Sequence, residues 1–243
     1  KKKARQQCRL IPLNGLVEGL RVVKDQQEIL CIRKALKIHA KALVYMKKVI
    51  KPGVTEWEAF LKLEQFIKDH KCGFSFDPII ASGINSCYPH ATITQRKFRA
   101  NDIVLVDTGI DINGYKSDLT RMFFLGKISQ LMTQVYRAVE VAQKEAIKLM
   151  KPGVLVSELD RVARESLAKE RLAKYFNHSL GHGVGLNIHE APRLSQKDVS
   201  VLHKGMVITV EPGVYIPQKF GIRLEEMVLI TDKGCEVISD NIH

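Results

Sequence analysis

The chain contains the same unit twice, and no other feature constrains its fold as much. Lys51-Pro52-Gly53-Val54 returns as Lys151-Pro152-Gly153-Val154. Each copy follows a long helical pattern and precedes a shorter one. Ahead of the first, Asp25-Gln26-Gln27-Glu28 has the form of a capping box, and Ile29, Ile32, Leu36, Leu43 and Met46 keep helical spacing. Ahead of the second, Ser129 is placed to cap a helix carrying Leu131, Val135, Val139, Ala142, Ala146 and Leu149. Pro and Gly stop each helix. Beyond the first stop, Thr55-Glu56-Trp57-Glu58 opens a helix predicted to reach about His70. Beyond the second, Ser157 is predicted to open one reaching about Ala173.

The strands repeat as well. Asp102-Ile103-Val104-Leu105-Val106-Asp107-Thr108-Gly109 matches Gly205-Met206-Val207-Ile208-Thr209-Val210-Glu211-Pro212-Gly213: an apolar strand, an acid, one residue, a glycine. A second strand follows each: Gly114-Tyr115-Lys116-Ser117-Asp118, then Gly221-Ile222-Arg223-Leu224-Glu225. Asn113-Gly114 signals a hairpin turn, and Gly221 is predicted to make the equivalent return. Helix, helix and antiparallel hairpin, used twice, predict one α+β domain. Its halves face each other across a pseudo-two-fold axis, with a curved sheet inside and helices outside.

The repeat also pairs the acids. Asp107 corresponds to Glu211, and Asp118 to Glu225. Adjacent residues on a strand point to opposite faces, so the match with Asp118 selects Glu225 and sends Glu226 the other way. Four carboxylates gathered in one cleft repel one another and resist burial unless something cationic neutralises them. Two divalent cations do this better than one, with a water held between them. His182, between glycines in Ser179-Leu180-Gly181-His182-Gly183-Val184-Gly185, adds a nitrogen ligand. Taken alone, it is as often a backbone-bonded turn residue. The oxygen-rich set favours manganese, with cobalt, iron or zinc as substitutes. His90 and His189 precede the acid-ending strand of their respective halves and are candidates to donate to a substrate carbonyl or developing oxyanion. His178 is intermediate. His39, His70, His203 and His243 read as helix-surface, loop or terminal residues.

Composition bears on partners. The net charge of +12 is spread along predicted helix faces, and only Lys1-Lys2-Lys3-Ala4-Arg5 forms a cluster. That predicts solubility and a general attraction for anions, with no nucleic-acid partner. No apolar run is long enough for a bilayer, so no membrane partner is predicted. Cys8, Cys31, Cys72, Cys87 and Cys235 are odd in number and widely spaced, which argues against a disulfide framework and for a cytoplasmic protein.

Specific motifs resemble those of a known family. Val106-Asp107-Thr108-Gly109, Ser117-Asp118-Leu119-Thr120-Arg121, the run from His178 to Glu190, Val210-Glu211-Pro212-Gly213-Val214-Tyr215 and Gly221-Ile222-Arg223-Leu224-Glu225-Glu226 are similar to the pita-bread metallopeptidases. The likeness is to their Xaa-Pro aminopeptidase and Xaa-Pro dipeptidase (prolidase) branch, and it covers about residue 20 to the end. The resemblance implies that Asp118 and Glu225 bridge two ions, that Asp107 binds one, and that His182 with Glu211 binds the other. It makes His90 and His189 the substrate and transition-state histidines, with His178 and Arg223 orienting the substrate. Leu16-Val17-Glu18-Gly19-Leu20-Arg21 resembles the linker after that branch's first domain. Residues 1–20 are therefore expected to be linker or remnant, and 21–243 the catalytic domain. The resemblance admits a homodimer.

The expected reaction is cleavage between an N-terminal residue and a following proline by a dimetal-bound water. Glu211 would accept its proton, and the substrates are peptides with proline second. Methionine aminopeptidase is the alternative, because it shares the ligands; a binding module without catalysis is a third reading.

Overall fold

Capping chemistry fixes where the two longer helices of the first half start. The computed structural model describes residues 12–239, so the basic cluster at Lys1–Arg5, Cys8 and His243 lie outside the described residues. A short helix, α1 (Leu16–Val22), lies against the second half. Helix α2 (Gln26–Val49) opens on the expected box: Glu28 N donates to Asp25 at 2.9 Å and Asp25 N donates to Glu28 at 2.8 Å. Helix α3 (Glu56–Asp69) opens on the same device at Thr55 and Glu58. Ile32, Leu36, Leu43 and Met46 are buried, and Ile29 is partly so.

Strands β1 (Gly73–Phe74), β2 (Ile79–Ser82), β3 (Ile103–Thr108), β4 (Ile110–Ile112), β5 (Tyr115–Lys116) and β6 (Leu119–Phe124) complete the first half. The second half holds α4 (Gln130–Leu149), α5 (Val156–Lys169), β7 (Gly181–Gly183), β8 (Glu190–Leu194), β9 (Val207–Val210), β10 (Gly213–Ile216), β11 (Phe220–Arg223), β12 (Glu226–Ile230) and β13 (Cys235–Val237). The order β2-β3-β6 in one half is answered by β7-β9-β12 in the other, within β13-β12-β9-β7-β8. Hairpins β4-β5 and β10-β11 extend from the two central strands.

The duplication is visible bond by bond. Gly53 N donates to Phe98 O at 2.9 Å, and Gly153 N to Leu202 O at 2.9 Å. Glu56 N donates to Arg96 O at 3.0 Å, and Val156 N to Ser200 O at 3.0 Å. Lys71 (φ 55°) and Arg171 (φ 59°) both adopt the left-handed conformation that closes α3 and α5. Strand β3 is buried along its whole length, as is β9. That explains why both read as unbroken apolar runs rather than alternating ones. Their neighbouring residues serve different cores: Val207 packs with α2 and α3, Ile208 with α4 and α5.

Four local expectations are corrected. The turn of the β10-β11 hairpin lies at Gln218, whose φ is 58°. Gly221 instead sits inside β11, where a Cβ would come within 2.1 Å of Ser86 O. Helix α5 is capped by Leu155, not Ser157, because Leu155 makes an isolated bridge with Val201; the helix ends at Lys169, since the left-handed Arg171 turns the chain before Ala173. Leu131 and Leu149 remain exposed although Ser129 caps α4 as predicted, with Val135, Val139, Ala142 and Ala146 buried. His39 is fully buried on α2, its Nδ1 3.0 Å from Ser117 Oγ, and burial lowers its pKa to about 3.

Candidate metal centre

The four acids occupy matching joints of the two halves. Asp107 is near the end of β3, and Glu211 directly follows β9. Asp118 directly precedes β6, and Glu225 directly precedes β12. They were expected at the ends of hairpin strands; they sit instead where the chain leaves the hairpin for the next strand. That break turns both side chains into the space between the halves. Glu225 is buried there, while Glu226 points away to Arg121 at 3.0 Å and to Ser239. Alternation on the strand separates the two glutamates as the repeat required.

His182 lies on β7, not in a loop. Thr209 Oγ1 accepts from its backbone N at 3.0 Å. Its flanking glycines are there for the strands on either side: a Cβ at Gly181 would be 2.0 Å from Thr209 O, and one at Gly183 would be 2.3 Å from Ala191 O. Gly181→Ala is therefore expected to cost about 3 kcal/mol or more, because rigid backbone must move. Urea denaturation measures the loss, and an unchanged midpoint would contradict the packing described.

The imidazole is oriented by its second nitrogen. Gly183 O can only accept, so Nδ1 carries the proton in their 3.1 Å contact. Nε2 then faces Asp118 Oδ2 at 3.5 Å and Glu211 Oε1 at 3.3 Å. One ligand atom each from Asp118, His182 and Glu225 fall within 4.8 Å of one another. Around them is a cleft of about 920 Å³ that also holds Asp107, Glu211, His90, His178, His189 and Arg223. The structure thus brings together every residue singled out from the sequence.

Electrostatics show an unbalanced centre. Burial, then repulsion from Glu225, Asp107 and Glu211, pushes the Asp118 carboxyl well above its usual range. Burial, then Glu211 and Asp107, does the same to Glu225. Burial raises Asp107 too, although Arg223 opposes it. Burial disfavours a charged His182, but the bond and attraction to Glu211 outweigh it and leave the pKa raised. Burial would raise Glu211, but His182 overrides it and lowers that carboxyl. Asp107 Oδ1 and Glu225 Oε1 are buried with no hydrogen-bond partner. Such atoms are costly unless satisfied. Acids forced toward protonation, a proton drawn onto a ligand-like nitrogen and two orphaned carboxylate oxygens all fit divalent cations.

A pH dependence follows for the metal-free protein. The folded pKa values of Asp118 and Glu225 lie above their unfolded ones. Their stabilising contribution is therefore complete below about pH 4 and is lost as pH rises through the raised values. Glu211 has the opposite sign, stabilising above its usual pKa and losing that on acidification. His39, His178 and His189 have lowered values and favour the fold increasingly as pH rises in both proteins, so between about pH 5 and 8 the metal-free wild type should lose stability relative to a Glu225→Gln variant as pH rises. Urea midpoints across that range test this; equal slopes would contradict it.

The surrounding hydrogen bonds escaped the sequence reading. Arg223 is buried; it donates through Nε to Thr120 Oγ1 at 2.9 Å, through Nη1 to Tyr215 Oη at 2.6 Å and Pro89 O at 3.1 Å, and through Nη2 to Asp107. Thr120 passes its own proton toward Glu225 Oε2 at 2.8 Å. Both nitrogens of His178 are engaged, by Ser179 O at 2.8 Å and Tyr215 Oη at 3.0 Å. Thr120 could have been found two residues after Asp118 on the same strand face. Tyr215 carried no comparable signal. His189 stands with its ring 4.4 Å from that of His182, and burial lowers its pKa. Among the described residues no helix is long and apolar enough to cross a membrane, and Cys31, Cys72, Cys87 and Cys235 are free thiols.

Duplicated halves enclosing an acid-lined cleft between β3-β6 and β9-β12 define the pita-bread class of α+β proteins, and comparisons with known proteins agree. The model of metallopeptidase family M24 matches residues 30–232. The Xaa-Pro dipeptidase of Pyrococcus furiosus is 42% identical over 225 residues, which cover 92% of this chain and 65% of that protein. Prolidase from the same organism superposes with a TM-score of 0.91 at 41% identity, covering 94% of this chain and 68% of that one. An X-Pro aminopeptidase from Thermotoga maritima gives 0.91 at 37% identity, covering 93% and 65%. The chain belongs to metallopeptidase family M24, and its similarity lies with the Xaa-Pro peptidases of that family. It spans just under two thirds of the length of the curated relative, at 65%. The family implies divalent metal ions.

Proposed function

We propose that residues 21–243 form the catalytic unit of an aminopeptidase that cleaves the bond between an N-terminal residue and a following proline. The observation that carries this is the set of Asp107, Asp118, His182, Glu211 and Glu225 lining one cleft, with two buried carboxylate oxygens lacking partners, in a fold that superposes on that of a prolidase. Asp118 and Glu225 would be shared by two cations, with Asp107 on one and His182 with Glu211 on the other. Manganese is the metal the donor set suits best. When bound, the cations acidify water and polarise a carbonyl.

The chain's own groups do the rest. Glu211 takes the proton from the attacking water and returns it to the departing proline nitrogen. His189, its pKa lowered by partial desolvation and by the neighbouring His182, donates to the carbonyl oxygen as negative charge develops there, and His90 does so from the opposite loop. Arg223 favours the ionised form of Asp107 against the effect of burial and, through Thr120, steadies Glu225. His178 acts by fixing Tyr215, which accepts from Arg223. The free amine of the substrate lies among the acids, which restricts cleavage to the N-terminus. Substrate peptides with proline second, rather than nucleic acid or membrane, are the partners, and the cytoplasm is the proposed setting.

Phenylalanine release from Phe-Pro and Phe-Pro-Ala, compared with methionine release from Met-Ala-Ser under defined metals, tests the reading. Manganese-dependent cleavage of the proline substrates is expected. Preference for Met-Ala-Ser would mark a methionine aminopeptidase, and no cleavage by fully metallated protein would mark a binding module.

A further inference from the structure

Glu190 follows His189 in the chain, and its carboxylate is gripped by residues that precede the region matched to the family. Arg21 Nη2 donates to Oε1 at 2.6 Å, and Lys24 Nζ donates to Oε2 at 2.9 Å. The backbone N of Asn187 donates to Oε1 at 2.9 Å. This is a built arrangement. The Lys24 and Glu190 side chains are 1% and 6% exposed, and a Cβ at Gly185 would come within 2.6 Å of Glu190 and 2.8 Å of Lys24. Backbone docking adds to it, with Lys24 N donating to Gly205 O at 2.9 Å.

Burying an ion pair seldom adds net stability, because desolvation cancels much of the attraction. Burial does lower the Lys24 pKa despite the carboxylate beside it. What the pair offers is direction. The segment between β7 and β8 is a set of bends in which Leu186, Asn187 and His189 are exposed. Pinning Glu190 fixes the end of that segment, and its bond to Asn187 N folds the rest back over the cleft. The position of the His189 ring, 4.4 Å from that of His182, follows from where Glu190 is held.

We propose that Arg21 and Lys24 are positioning residues that set His189 against the metal centre by holding the Glu190 carboxylate. The segment leading into α2 is then part of the active-site machinery. This rests on the transition-state role given to His189 above, and its effect is on turnover rather than on substrate affinity.

Two readouts on Lys24→Met, Arg21→Met and Lys24→Arg test the tether. In metal-free protein, hydrogen–deuterium exchange at residues 187–190 should speed up about 10-fold or more in Lys24→Met. In manganese-loaded protein on Phe-Pro, Lys24→Met should lower kcat about 10–100-fold with KM within about 3-fold, and Lys24→Arg should recover most of it. In a His189→Ala background, Lys24→Met should add less than about 2-fold, since its effect passes through the missing ring. Unchanged exchange, or a full multiplicative loss in that background, overturns the proposal. If Lys24→Met fails to fold, the more exposed Arg21→Met carries the same comparison. Absence of wild-type cleavage would count against the peptidase reading alone, while the exchange result still decides whether the tether exists.

Discussion

Asparagine in place of Asp118 is expected to have two effects of opposite sign. Manganese binding should weaken, and kcat/KM on Phe-Pro should fall about 1000-fold or more, the scale seen when one member of a group acting as a unit is removed. The metal-free protein should become more stable. Asp118 is buried beside Glu225, Asp107 and Glu211, and it carries a carboxyl pushed well above its normal range by burial and by those neighbours. An amide of the same shape removes a charge that folding opposes. A gain of about 1 kcal/mol would raise the melting temperature of a chain this size by about 2–4 °C. Calorimetry with chelator, and again with saturating manganese, separates the two effects. A variant less stable than wild type without metal would mean that the acids are not in conflict.

Arg223→Met should do the reverse. The guanidinium is the buried counter-charge to Asp107 and reaches Thr120, Tyr215 and Pro89 as well. Methionine fills much of the volume but leaves Asp107 unpaired among like charges. Breaking a buried pair from one side costs about 3–5 kcal/mol. Removing both partners, as in Asp107→Asn with Arg223→Met, should recover part of that loss, because no orphaned charge remains. Arg223→Lys should recover little, since an ammonium on a flexible stem does not reproduce the planar fork. Urea midpoints of the metal-free variants give the comparison. A loss below about 1 kcal/mol in Arg223→Met would show that the pair is not holding the cleft together.

Much of this was legible in the chain. The repeated Lys-Pro-Gly-Val stretches located the helix stops, and the capping boxes at Asp25 and Thr55 located two helix starts, because these signals act within one turn of chain. The choice of Glu225 over Glu226 was legible because strand alternation is a strict rule and the repeat supplied its phase. The errors share one physical cause. Gly221 resembled a turn residue, yet it is a glycine because Ser86 approaches it from 135 residues away in sequence. Ser157 resembled a cap, but a bridge between Leu155 and Val201 had already fixed the helix start. His39 looked like surface until Ser117 met it inside the fold. Each was decided by a contact between distant segments, which local pattern does not carry. The roles of Thr120 and Tyr215 were hidden for the same reason.

The joints that carry Asp118 and Glu225 have one more consequence. Each half brings two acids, the histidine comes from the second half alone, and every carboxylate presents itself across the seam. Neither half holds a usable set. Cation affinity is therefore a gauge of how well the two halves are aligned, as a vernier reads the offset between two scales. Cutting the chain in the connection after β6, near Gly126, would leave fragments that each keep a helix pair and a central strand. Titrating one fragment with the other should restore manganese binding only as they dock, and the metal would report their register before any peptide is supplied.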